Sequence, residues 1–340
     1  MEFLKYIDVV AEGLRKDGKD TTMENYQYAK RRLAGYLQSR GKKDVSTGKV
    51  DRELINGFCD YLVAEGVGIS TISAYLSIFR ATLNKASREG LATVLDKGEN
   101  PFADMSTSPL RRTEGTAYGS DVYQRLQNLD IRQELLKGND GPDTTRFKER
   151  LENLLMARDL FLFCFCACGM EFADLCFLKK TDIANGTITY CRRKTGLEVK
   201  IRVLPKMLEL MERWPSKTMY VFPILQSVSK EKTMAEYKQA LGVYNKRLKA
   251  LSRMLGDDVQ LSSVSPRESW AVAAFEGGMA LPMITKTLGY VSDAATINFL
   301  SPLLKSRPME DISEEIVRDF LGWGNEEETN VNNMHNFIHK

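Results

Sequence analysis

The body of this chain has no histidine. Two occur among 340 residues, His335 and His339, both in a polar C-terminal stretch. Ser-His and Cys-His nucleophilic chemistry, and histidine-based metal centres, are therefore excluded from the body. The i,i+4 spacing of the two would suit a metal on a helix, but the polar surroundings make solvated side chains the simpler reading. Cysteine is scarce in a telling way. Cys59, Cys164, Cys166, Cys168, Cys176 and Cys191 form no C-x-x-C pair, and four fall in apolar helical context. That pattern favours reduced, buried thiols in a cytoplasmic protein over a disulfide framework or a metal site. Long apolar runs are missing too. The longest, Leu160 to Gly169, is too short to cross a bilayer. The opening MEFLKYIDVV lacks the charged-then-apolar order of a signal peptide, so no membrane partner is expected. Finally, there is little excess charge. A net charge of +3 is weak for a nucleic-acid binder, so any DNA contact must use locally clustered Lys and Arg. No internal repeat is visible.

What is present fits two domains with full cores. The first hundred residues read as helices. Thr21 and Thr22 can start one with Tyr26, Ala29, Leu33 and Leu37 on a face. Asp51 can cap another carrying Leu54, Ile55, Phe58 and Leu62. A third begins at Ser70, presents Ile72, Tyr75, Leu76, Phe79 and Leu83 at helical spacing, and stops at Gly90. Its opposite side carries Ser73, Ser77, Arg80, Asn84 and Arg88, with nothing acidic before Glu89. That side is either a solvated face or a surface for phosphates and base edges. A loop with Pro101-Phe102 and Ser106 to Pro109 reads as a linker, and the domain boundary is placed near Arg112.

The second domain, 113–323, opens with a variable region to about Gly141. A buried central helix is expected from Thr145 to Cys168, stopping at Gly169. Thr187 to Leu204 reads as a β-hairpin about a basic Lys194-Thr195-Gly196 turn. Helices resume after Pro205 and across Met234 to Leu255. Residues 324–340 are acidic and Asn-rich and read as a loose tail. The fold class is thus mainly α, with a small antiparallel β element.

The most informative stretch is PRESWAVAAFEGGMALPMITKTLGYVSDAATINFL, Pro266 to Leu300. Ser265-Pro266-x-Glu268 looks like an N-cap, a proline at the first helical position and a capping box. A Gly-Gly stop follows, then a short helix ending in Leu288-Gly289, then Thr296-x-x-aromatic-Leu300. This segment, with the Lys194 turn, resembles the closing half of the tyrosine recombinase (phage integrase) family. The resemblance spans roughly residues 3 to 322. It implies a helical core-binding (SAM-like) domain over 1–112, a catalytic-type domain after it, and a C-shaped clamp around duplex DNA. It also implies chemistry without metal or nucleotide cofactor, because a phosphotyrosine link conserves the bond energy.

Carried over residue by residue, the family's hairpin lysine falls on Lys194 and its second arginine on Arg267. Its Leu-Gly-His/Trp falls on Leu288-Gly289-Tyr290, where the phenol can still donate a hydrogen bond. The other positions depart. Its histidine three residues before the arginine falls on Val264. Its first arginine falls on Glu171, or on Cys168 if aligned with relatives that show Arg-Gly-Met; neither is a cation. Its nucleophilic tyrosine falls on Phe299, a ring without a hydroxyl. A lost charge donor lowers rate by about 10²–10³; without a nucleophile no covalent intermediate forms.

The expectation is therefore a DNA-binding protein of recombinase type, catalytically defective, whose partners are double-stranded DNA and either its own copies or an active recombinase on DNA. Lys30, Arg31, Arg32, Ser73, Ser77, Arg80, Asn84 and Arg88 in the first domain, with Arg192, Arg193, Lys194 and Arg267 in the second, are its expected DNA contacts. Two alternatives stay open: an active recombinase with an altered site or an engineered Tyr-to-Phe knockout, and a helical protein-interaction module with no DNA role.

Overall fold

The computed structural model describes residues 1–91, 101–102, 117–137, 144–227 and 229–304. The expected Ser106–Pro109 loop, the boundary residue Arg112, Gly141 and the tail with His335 and His339 lie outside the described residues. The chain divides into two compact units, Met1–Thr113 and Glu114–Lys340.

Among its described residues the first unit is mainly helical: α1 (Phe3–Lys16), α2 (Asp20–Ser39), α3 (Arg52–Ala64) and α4 (Ile69–Arg88). Apolar residues at helical spacing explain why each forms and which side it buries. Phe3 and Ile7 of α1, Leu33 and Leu37 of α2, Ile55, Phe58 and Leu62 of α3, and Ile72, Leu76, Phe79 and Leu83 of α4 meet in one core. Phe79 is central, with its ring 5.8 Å from Phe3 and 5.5 Å from Phe58. The expected Asp51 cap is present: its carboxylate accepts from Leu54 N at 2.8 Å. Phe102 is 2% exposed and packs into this same core. The Pro-Phe pair that reads as linker in sequence is therefore an anchor.

The second unit contains α5 (Ser120–Asn128), α6 (Ile131–Leu136), α7 (Thr145–Cys166), α8 (Phe172–Phe177), β1 (Ile183–Ala184), β2 (Thr187–Cys191), β3 (Glu198–Arg202), α9 (Pro205–Arg213), α10 (Lys230–Leu255), α11 (Ser265–Glu276), α12 (Leu281–Thr287) and α13 (Asp293–Leu300). The strands form an antiparallel sheet in the order β1-β2-β3. Ile188 pairs with Ile201 and Tyr190 with Val199. The β2–β3 hairpin matches the expectation; β1 is too short to show a period in sequence. The stretch before Gly141, read as variable, holds α5 and α6. Asp130 caps α6 by accepting from Gln133 N at 2.9 Å.

Helix α7 is central, packed by α5, α6, α9, α10 and α11. Thr144 caps it, accepting from Phe147 N at 3.1 Å. Its last turns, Leu160 to Cys164, are buried as expected. One acidic residue is buried with them. Asp159 accepts from Trp214 Nε1 at 2.9 Å, Arg213 Nη1 at 2.9 Å and Arg158 Nε at 3.0 Å, which is how a carboxylate is tolerated there.

Two sequence expectations need correction. Helix α7 ends at Cys166, two residues early, because Cys168 (φ 53°) and Gly169 (φ 73°) take left-handed conformations. Both Gly169 N and Met170 N then donate to Cys164 O, at 2.9 and 3.1 Å, and the chain turns away. In α11 the N-cap is Val264, and no side-chain cap forms. Ser265 Oγ instead accepts from Ser262 N at 2.9 Å, so the hydroxyl braces the preceding turn.

Candidate functional site

The residues singled out in the second unit converge from four places: the α7–α8 turn, the β2–β3 hairpin, the start of α11, and the α12–α13 connection. Arg267 comes from α11 and is 3% exposed. Its Nη1 donates to Gly169 O at 3.0 Å, its Nη2 to Leu288 O, and its Nε reaches Tyr290 Oη at 3.5 Å. One arginine therefore ties the end of α7 to the end of α12 through two carbonyls. The approach is close enough that a Cβ on Gly169 would lie 2.9 Å from Arg267 Cα.

Arg192 is the residue the sequence placed least well. It was expected among basic contacts on the hairpin; it is fully buried. Its Nη1 donates to Gly289 O at 3.1 Å and its Nη2 to Glu171 Oε1. Thr195 Oγ1 donates to the same Gly289 carbonyl at 2.9 Å. The hairpin tip is thus bound to the α12–α13 connection. Tyr290 completes the arrangement. Its ring centroid lies 4.8 Å from the Arg192 guanidinium and 4.9 Å from that of Arg267, so both cations face one aromatic ring.

Glu171 stands where the resemblance aligns an arginine. Its Oε1 accepts from Arg192 and lies 3.6 Å from Arg267 Nε. Burial pushes this carboxyl's pKa up, but Arg267 and then Arg192, with a further pull from Lys194, hold it below its ordinary value. Asp174 behaves oppositely. Burial raises its pKa, its Oδ1 accepts from Arg193 N at 2.8 Å, and its buried Oδ2 has no hydrogen-bond partner among the described residues.

The other candidates divide by exposure. Lys194 is exposed at the hairpin tip. Arg193 is exposed as well, with its guanidinium 3.6 Å over the Phe177 ring. Phe299 is half-buried on α13, its ring 5.5 Å from that of Tyr290. Val264 is 43% exposed at the start of α11. Cys168, the alternative arginine position, is half-buried, and burial raises its thiol to about 11, which keeps it protonated.

In the first unit, Arg80, Asn84 and Arg88 are exposed on one side of α4. Ser73 is not with them: it is 4% exposed, and its carbonyl accepts from Ser77 Oγ at 2.9 Å. Lys30 is half-buried and paired with Asp8 at 2.6 Å. Arg31 is exposed, 4.4 Å over the Tyr28 ring, and Arg32 is half-buried.

Among the described residues no group of three His, Cys, Asp or Glu could hold a metal ion, and no helix is long and apolar enough to cross a membrane.

Residues 2–96 match the phage integrase SAM-like domain family. No curated protein matches the chain by sequence. Solved structures of similar fold include a lambda integrase dimer bound to a COC′ core site (TM-score 0.60, 15% identity, covering 91% of this chain and 98% of that one). A Tn1549 transposon integrase in complex with transposon right end DNA is similar at TM-score 0.62 and 13% identity, over 94% of this chain and all (100%) of that one. A lambda integrase tetramer bound to a Holliday junction is similar at TM-score 0.55 and 16% identity, over 91% and 80% of the two chains. Residues 2–96 thus carry a SAM-like domain of phage-integrase type, and the chain has the same fold as these integrases over nine-tenths of its length.

Proposed function

We propose that the protein binds duplex DNA with this architecture and forms no covalent link to it. The observation that carries the second half is Phe299. It holds the position on α13 that the resemblance assigns to the nucleophile, packed against Tyr290, and a phenyl ring has no oxygen to attack a phosphate. Tyr290 lies nine positions earlier, before α13, with its ring facing both guanidinium groups, in the place that the resemblance gives to a phosphate-clamp residue rather than to the nucleophile. Binding is supported by the exposed cations Lys194 and Arg193 on the hairpin and by Arg80 and Arg88 on α4. Phosphate contacts of this kind dominate affinity and make it fall steeply with salt.

The test is a nicked duplex that traps covalent intermediates, run on a denaturing gel beside a binding titration at several salt concentrations. Binding with a clear salt slope and no adduct is the expected result. An adduct formed by the unaltered protein would overturn the catalytic half. Absence of binding at low salt would overturn the whole and favour a protein-interaction module. Phe299→Tyr alone should not restore cleavage, because Glu171 and Val264 remain; robust cleavage by that variant would show that those positions do not matter.

A further inference from the structure

Two arginines with almost no exposed surface lie against one tyrosine ring, and a single carboxylate reaches both. Desolvated cations need an anion close by, since a buried charge without a partner is strongly destabilising. Glu171 fills that need: it accepts from Arg192 Nη2 and lies 3.6 Å from Arg267 Nε. The other nitrogens reach Gly169 O, Leu288 O, Gly289 O and Tyr290 Oη. Of the six guanidinium nitrogens, one is left over: Arg192 Nε is buried and has no hydrogen-bond partner among the described residues. The pair is therefore an oxyanion site only partly satisfied by the carboxylate now in it. Glu171 is also the most accessible member, 30% exposed against 0% and 3% for the arginines. It sits on the side from which an outside anion would arrive.

We infer that Glu171 is an intramolecular counter-anion, occupying the position that a phosphoryl oxyanion would take between Arg192 and Arg267 and excluding it. The pocket that the resemblance equates with a scissile-phosphate clamp is then closed by the protein's own side chain. DNA is held instead by the exposed cations around it. This reading rests on the proposed DNA binding only for its second half; the oxyanion site itself is independent of DNA. Asp174 is another nearby carboxylate; both guanidinium groups act on it through charge, but its hydrogen bond comes from Arg193 N.

The test uses the full chain, with Glu171→Gln and Glu171→Ala as variants and inorganic phosphate as probe. Thermal unfolding is followed at constant ionic strength with phosphate replacing chloride. The unaltered protein should show no phosphate-specific shift. Each variant should gain roughly 3–5 °C when phosphate is about ten times its dissociation constant. Glu171→Gln combined with Arg192→Gln should lose that gain. If removing the carboxylate prevents folding, refolding in phosphate is measured instead; rescue supports the inference and no rescue overturns it. An equal shift in the unaltered protein, or none in either folded variant, also overturns it. With duplex DNA, Glu171→Gln should steepen the log–log salt slope by about 1, one added phosphate contact. No DNA binding by any form would defeat the proposed function while leaving the phosphate result standing.

Discussion

Replacing Gly169 by alanine tests the central geometry of the second unit. Two costs act there and can be separated. Gly169 has φ 73°, a conformation that costs an L-residue about 1–2 kcal/mol. The new methyl would also lie 2.9 Å from Arg267 Cα and 3.4 Å from its Cβ and Cγ. The first of these is backbone, so the helix start itself must shift, and overpacking of this kind costs about 1–3 kcal/mol. A stiffer unfolded chain returns about 0.5 kcal/mol. The net expectation is a loss of about 2–4 kcal/mol. Gly186→Ala is the control, because that glycine has nearly the same φ, 71°, and nothing within 4 Å of its added Cβ. It should lose only the conformational part. All three tryptophans, Trp214, Trp270 and Trp323, follow residue 113. Tryptophan fluorescence in urea therefore reports the second unit separately, which matters because a two-unit chain need not unfold in one step. The midpoint for Gly169→Ala should fall by about 1 M, and for Gly186→Ala by less than half as much. Equal midpoints for the two variants would refute the close approach of α11 to the α7–α8 turn.

Asp159→Ala leaves Trp214 Nε1 and Arg213 Nη1 without their acceptor; a loss of about 2 kcal/mol in the same fluorescence assay is expected. Glu171 gives a pH signature. Its pKa is held below the ordinary 4.5, so its contribution is present above 4.5 and lost as pH falls through the lower folded value. The stability gap between the unaltered protein and Glu171→Gln, followed by urea melts from neutral to acid pH, should therefore narrow below about 4.5. Lys194→Ala, exposed at the hairpin tip, should leave the urea midpoint unchanged and flatten the DNA salt slope by about 1.

How much of this was legible in sequence depended on whether a period or a turn signal carried the information. The apolar stripe of α4 and the run at the end of α7 announce buried faces, and Lys194-Thr195-Gly196 announces a turn. Arg192 could not be read the same way. It follows the last residue of β2, Cys191; the two-residue period does put it on the side of buried Ile188, but its charge and its place beside the basic turn argued for exposure. Ser73 failed for a different reason. Steps of about 100° place it only about 60° from Leu76 on the helix, and a side chain that small is covered by its neighbours. Asp159 is one acid in an apolar run, and its burial depends on Trp214 and Arg213 some fifty residues later. Glu171 was recognised as a carboxylate in a cation's place. Its pairing with Arg192 required knowing where the hairpin folds back.

The residues that match the recombinase pattern and those that depart from it have different structural roles. Arg267, Leu288, Gly289 and Tyr290 form a node in which side chains bind backbone carbonyls across elements distant in sequence. Removing the Arg267 side chain would leave the buried carbonyls of Gly169 and Leu288 without that donor, which is expensive whether or not the protein cuts DNA. Val264 is 43% exposed at a helix start, and the half-buried Phe299 contributes an apolar ring that packs on Tyr290. Neither side chain can make a hydrogen bond, so the fold does not depend on a polar group at either position. Glu171 falls between these cases. A carboxylate placed among buried arginines must pair with them, so where the resemblance aligns a cation an ion pair helps hold the node together. On the proposed reading, the matching residues Arg267, Leu288, Gly289 and Tyr290 also join elements of the second unit, while the departing Val264 and Phe299 lie where the fold needs only an apolar side chain.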